Sequence, residues 1–430
     1  MNEGYWSSPW PGEDFGPGRV QCNRLATGPN FAELGQSAVR TTCREAIPTT
    51  MIVLRDPGEV FVLRHTAGQN AIAWVEKIDA ITLEPVARSV DLAGGATWPG
   101  GMAAHKNGSL YVVFGRYAHR LDAQLNVVAS RELPRLAPYN SFVIMDDGTL
   151  ATKDFGGVLP GGDPETHEYE PTELVMLDPE SLAIIDRLTF PEASIARLSA
   201  DSNTVYVVGV TRLMRATWQG GRLIEDIDFD GRYCTVDGQT YGWDATIALG
   251  AAWFLDNGFG SERYAGTFRG HGVNVAPLHL VRVDLHTGCA SLTEICGLPA
   301  GVVANPPLID TVRRIAVGYD SGNGVVTAFD ISLDGALTMR WQREQNHACH
   351  MLLFSDTGEI LTTDHDATRM ADQIVVLDIG TGSEVFRVDS GSAVQSVLFP
   401  ALGWNDDAYY CSFNGIARMA WARDERERPS

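Results

Sequence analysis

The sequence predicts an all-β fold, a closed β-propeller with eight blades favoured over seven, on three observations. An apolar residue followed by Asp recurs at Asp79, Asp122, Asp178, Asp284, Asp330 and Asp378, a spacing of roughly 40 to 55 residues that fits one four-stranded blade. Upstream of each tag stands a short hairpin of alternating strands. The composition, with 44 glycines and 21 prolines in 430 residues, suits many short strands joined by tight turns.

The hairpins run in chain order as VLRDPGEVFVLRH, AAHKNGSLYVVFG, VIMDDGTLATKDF, LSADSNTVYVVGV, IALGAAWFLDN, LIDTVRRIAVGYD, LFSDTGEILTTDH and the irregular ALGWNDDAYYCSFN. Asp-Gly, Asn-Gly and Thr-Gly at the tips meet the positive φ that a tight hairpin turn requires. The double interval between Asp178 and Asp284 holds RLMRATWQGGRLIEDI, in which Thr217 and Trp218 stand in the tag's place, and ARMAWARDE is a degenerate eighth copy. Seven blades would follow if the irregular last hairpin were not a blade. The last unit lacks a fourth strand, so the N-terminal segment is expected to complete it and close the ring, which removes exposed sheet edges. The expected organisation is an N-terminal segment at 1–45 that packs on or closes the ring, a propeller at 46–422 and a disordered tail at 423–430. Tyr5, Trp6, Trp10 and Phe15 are expected to lie across the protein's own ring rather than on a partner.

A formal net charge of −21 argues against nucleic acid, whose phosphates call for clustered Lys and Arg, and against anionic membranes. The opening stretch has neither the basic start nor the apolar run of a secretory signal, and the seven cysteines are scattered without a CxxC pair. A cytoplasmic protein with reduced thiols is expected.

The segments VDLHTGCASL, FDISLDGALTMRW, LDIGTGSEVF and LDPESLAII resemble the Asp-x-x-Thr-Gly tails of quinoprotein-alcohol-dehydrogenase-like and YVTN-type propellers, over most of residues 50 to 422. The resemblance implies architecture. It does not choose among the redox enzymes, lyases, lactonases and inert scaffolds that share it.

Aligning the hairpins on their tips separates two faces. His105 falls at a tip, on the bottom face, and reads as structural. Asp154, Asp256 and Asp364 share one position after the second strand, on the opposite rim, where Asn257, Tyr319 and His365 follow and Asn140 and His350 lie across the hairpin. His347, His350 and His365 with Asp364 form the densest cluster. Imidazole and carboxylate are ordinary ligands of a first-row divalent metal, the one cofactor expected, and they equally make an acid/base pair in which Asp364 orients a histidine. The long loop DNGFGSERYAGTFRGHGVNVAPLHL offers Arg263, Arg269 and His271 to an anionic group. The competing reading of each aspartate is a turn residue bonded to its own backbone, and Asp154 is preferred over Lys153 as the inward-facing neighbour.

Two function classes follow. The first is an enzyme acting on a small polar organic molecule in the axial rim pocket by acid/base or metal-assisted lyase or hydrolase chemistry. His350, His365 and Asp364 would be catalytic, with Asn140, Asp154, Asp256, Asn257 and Tyr319 positioning substrate. The alternative is a noncatalytic scaffold that displays its loops to a protein partner.

Overall fold

The computed structural model describes residues 3–35, 38–159 and 161–421; the tail expected at 423–430 lies outside them. Eight antiparallel sheets follow one another as blades 1 to 8, at 49–95, 101–132, 143–189, 199–232, 246–294, 308–344, 352–389 and 400–421. Blades 1 and 4 carry a fifth short strand, and the irregular last hairpin is a true blade. Its fourth strand is Val39–Glu45, which pairs antiparallel with Gly415–Trp421 from Val39 opposite Trp421 to Glu45 opposite Gly415. The innermost strand of blade 1 therefore meets those of blades 2 and 8, and the ring is closed.

Burial falls from the axis outward. Thr49–Leu54 and Val60–His65, the inner two strands of blade 1, are buried at every position, whereas the outer strand Val127–Glu132 of blade 2 is half-buried at best. Inner strands are covered by neighbouring blades on both faces, so they read as continuous apolar runs. The recurrent Asp is a turn device. Asp284 Oδ1 accepts the Thr287 amide at 2.9 Å, and Asp378 Oδ1 accepts that of Thr381 at 2.7 Å, closing the bend between third and fourth strands. The Thr287 amide holds the Asp284 carboxyl down at about 2.

Residues 5–22 plug the ring from the hairpin-tip face. The carbonyls of Trp10, Pro11, Pro17, Gly18 and Gln21 accept amides of Leu54, Ala104, Ala200, Ile247 and Leu353, at the tip ends of five innermost strands. Tyr5 bridges to His105, whose Nε2 lies 2.9 Å from the Gly148 carbonyl oxygen. Asp14, Phe15, Arg19 and Gln21 all adopt positive φ, at 49°, 69°, 51° and 53°. Such conformations cost non-glycine residues about 1 kcal/mol or more each and persist where surrounding contacts fix them.

Candidate active site

Four loops entering innermost strands carry a polar residue at one offset. Asn140, Arg197, Asp244 and His350 each stand four positions before the strand's last residue, which is Ile144, Asp201, Ala248 and Phe354 respectively. The repeat thus aims all four at the axis, and all are buried. The plug meets them with its own charges. Arg19 binds Glu13 Oε2 at 2.7 Å and Asp14 Oδ2 at 3.0 Å, with Asp244 Oδ2 at 3.9 Å, and Arg197 Nη1 lies 3.2 Å from Glu13 Oε2. Charges removed from water persist only when opposed in this way. Burial raises the Glu13 carboxyl despite both arginines. Burial presses on Asp14 in the same sense, but His350 and Arg19 together outweigh it and hold that carboxyl below its ordinary range.

His350 Nδ1 lies 2.8 Å from Asp14 Oδ1. The approach is close but bent, since neither atom makes an aligned hydrogen bond; acid/base pairs of unliganded sites commonly tighten only when a ligand arrives. The imidazole stacks on Phe399 at 3.9 Å and 28°, and the Arg197 guanidinium sits 5.0 Å from the same ring.

His350 and Arg197 border a cavity of about 240 Å³ on the rim face, walled by residues of blade 1 and by the loops entering or leaving blades 2, 4, 5, 6, 7 and 8. Much of the wall is aromatic. Trp98 stacks on Phe155 at 4.0 Å and faces Trp243 at 6.3 Å, while Tyr264 and Phe268 come from the blade 5 loop. Four polar side chains in the wall have a buried atom without a hydrogen-bond partner among the described residues: His65 Nε2, Trp243 Nε1, Glu262 Oε1 and His350 Nδ1. His65 donates from Nδ1 to the Thr66 carbonyl at 2.8 Å, which leaves Nε2 a bare acceptor, and burial lowers the ring's pKa. Glu262 has a side chain 8% exposed and an unbonded Oε1, with Arg263 Nε 3.6 Å away.

Of the residues read from the sequence, His350 alone of the dense cluster borders this cavity. His347 Nδ1 accepts the Thr363 amide at 3.1 Å, and burial pushes its pKa down to about 3. His365 Nε2 faces the Ala393 carbonyl at 3.3 Å, and Asp364 accepts from the Asn346 amide at 2.9 Å and Arg387 at 3.0 Å. The expected ligand set His347, His350, His365 and Asp364 therefore does not converge. Each side chain has a local partner, though His347 Nε2, His350 Nδ1 and His365 Nδ1 are left without a hydrogen bond, and among the described residues no three His, Cys, Asp or Glu side chains gather around a point where a metal ion could sit. Asp14, not Asp364, is the carboxylate beside His350.

Asp154 and Asp256 do occupy equivalent positions and both hold backbone, while Asp256 Oδ2 also lies 2.8 Å from His279 Nδ1. Asp154 Oδ1 accepts the Glu173 amide at 2.6 Å, and Asp256 Oδ1 accepts the His279 amide at 2.6 Å, each tying the end of a second strand to the start of a third. Asn257 donates to the Ala276 carbonyl at 2.8 Å, and Asn140 to that of Ile195 at 3.4 Å. Tyr319 is buried against the His347 ring at 4.6 Å. Arg263, Arg269 and His271 are exposed and stand outside the cavity. Their loop contributes Glu262, Tyr264 and Phe268 instead. Lys153, passed over in favour of Asp154, is the deeply buried member, with Nζ 2.9 Å from the carbonyls of Asp154 and Ser194 and a pKa lowered by burial to about 8.

Asp14, Arg197, Trp98, Trp243, Glu262 and Phe399 escaped the sequence reading. The shared offset of Asn140, Arg197, Asp244 and His350 was available in the aligned hairpins and marks two of the axial charges. Nothing local marks Asp14, whose place depends on the plug's left-handed turns.

No family model matches the chain, and no curated protein is similar to it in sequence. Solved structures share its fold. Quinohemoprotein alcohol dehydrogenase ADHIIG from Pseudomonas putida HK5 aligns with a TM-score of 0.62 at 9% identity, covering 99% of this chain and 82% of that one. The computationally designed Ika8 protein aligns with a TM-score of 0.52 at 10% identity, over 87% of this chain and 96% of its own. BamB from Moraxella catarrhalis gives 0.48 at 13% identity, over 90% and 100%. The chain is an eight-bladed β-propeller, and at these identities the likeness is one of fold alone.

Proposed function

We propose that the axial cavity is the active site of an enzyme that moves a proton on a small polar organic substrate, in lyase or hydrolase chemistry, with His350 as the acid/base. The observation that carries this reading is the 2.8 Å approach of His350 Nδ1 to the buried Asp14 carboxylate at the edge of a cavity of about 240 Å³. With Nδ1 turned toward Asp14, Nε2 takes the proton, from a carbon beside a carbonyl in an elimination or from water in a hydrolysis. Asp14 offsets the charge of the imidazolium that forms. Arg197, braced by Glu13, is a fixed cation for negative charge developing on the substrate, and the aromatic walls keep the dielectric low so that its field counts. Phe399 packs against both groups and limits their motion. No metal step is included, because the residues expected to hold one serve other partners. The seven cysteines stand as free thiols, which supports the cytoplasmic placement as part of the same proposal.

The test is depletion. Incubated with a metabolite extract and followed by mass spectrometry, the protein consumes a compound that the His350→Gln variant consumes about a hundredfold to ten-thousandfold more slowly. Equal consumption by both proteins, or none by either alongside capture of a protein partner, would favour the scaffold alternative.

A further inference from the structure

Two of the cavity's unpaired buried atoms are acceptors. Thr97 and Asn305, also in its wall, already donate to the carbonyls of Gly68, Ala348 and Val397. Beside the Trp243 indole N–H and His350 Nδ1, two remain: Glu262 Oε1 on a carboxylate more than nine-tenths buried and His65 Nε2 on a ring 3% exposed. Both are acceptors. His65 cannot donate from Nε2 while Nδ1 donates to Thr66, and the half-exposed Arg263 Nε lies 3.6 Å from Glu262 Oε1, an ion pair beyond hydrogen-bond reach. A buried acceptor left without a donor is costly, and a carboxylate more so than an imidazole. A ligand that satisfies them brings N–H donors and positive charge together. Trp98, Tyr264 and Phe268 around the same space accept its apolar body and favour a cation near their faces.

Resting on the cavity being the substrate site, we propose that the substrate is a primary amine, bound as its ammonium with the charge at Glu262 and His65 and its carbon body among the aromatic rings. The proposal separates recognition, at Glu262 and His65, from proton transfer at His350.

Three probes of one shape test this: phenethylamine, 2-phenylethanol and 3-phenylpropionate, titrated by calorimetry into the full-length protein. Phenethylamine is expected to bind at least about tenfold more tightly than either of the others, and Glu262→Gln to remove that preference while leaving 2-phenylethanol unchanged. Equal or tighter binding of the alcohol or the carboxylate to the wild-type protein overturns the proposal, as does absence of amine binding at millimolar concentration. These readings need no variant to fold. A retained amine preference in a Glu262→Gln protein with unchanged melting also overturns it. His350→Gln separates this claim from the one beneath it: loss of amine selectivity with turnover still dependent on His350 refutes only the substrate class, whereas selectivity without that dependence refutes only the assignment of catalysis.

Discussion

Lys153 shows how far one side chain can depart from its surface chemistry. Its amine is fully buried on two carbonyls, and burial brings its pKa from 10.5 to about 8. As pH rises from about 8 toward 10.5, the folded protein releases this proton first, the unfolded chain binds more protons, and stability rises. Lys153→Met lacks that rise. Denaturant unfolding at pH 7 and pH 10 should therefore show the balance between the two proteins moving toward wild type, by up to about 3 kcal/mol; a constant difference would contradict the buried, partly neutral lysine. At this scale the sequence was informative where chemistry is local. His350 was legible because imidazoles are few and its hairpin position is fixed by the repeat. Lys153 was not, because strand alternation said only that it and Asp154 face opposite ways, not which side was the interior.

The plug is the element on which the site depends. It carries Glu13, Asp14 and Arg19 to the axis through four residues with positive φ. Arg19→Met would leave two buried carboxylates short of their cation, and removal of one partner from such a network costs about 3–5 kcal/mol. Equilibrium denaturation should record a loss of that size; a loss within about 0.5 kcal/mol, as at an ordinary surface position, would mean the plug is not seated as described. The aromatic residues of this stretch pointed to docking on the ring, and Tyr5 and Trp10 are indeed buried. Its charges gave no such signal, since left-handed turns at non-glycine residues follow from tertiary contacts rather than local propensity. The blade 5 loop repeats the lesson. Its length marked it as functional, yet the conspicuous Arg263 and Arg269 point to solvent while Glu262, just before the first of them, faces the cavity.

Over the whole molecule, the repeat made the architecture legible: eight hairpins gave eight blades, and a missing last strand gave a ring closed by Val39–Glu45. The cavity was not legible in the same way, because seven blades supply its walls and a segment threaded from the opposite face supplies the buried carboxylate beside His350. Residues more than 300 positions apart must act together, and a double-mutant cycle on turnover of the depleted compound measures whether they do. Asp14→Asn should slow turnover at least about tenfold, and Asp14→Asn combined with His350→Gln should be no slower than His350→Gln alone, as for residues acting as one unit. Independent losses that multiply in the double variant, or an Asp14→Asn protein as active as wild type, would contradict the pairing of Asp14 with His350 as the working centre of this propeller.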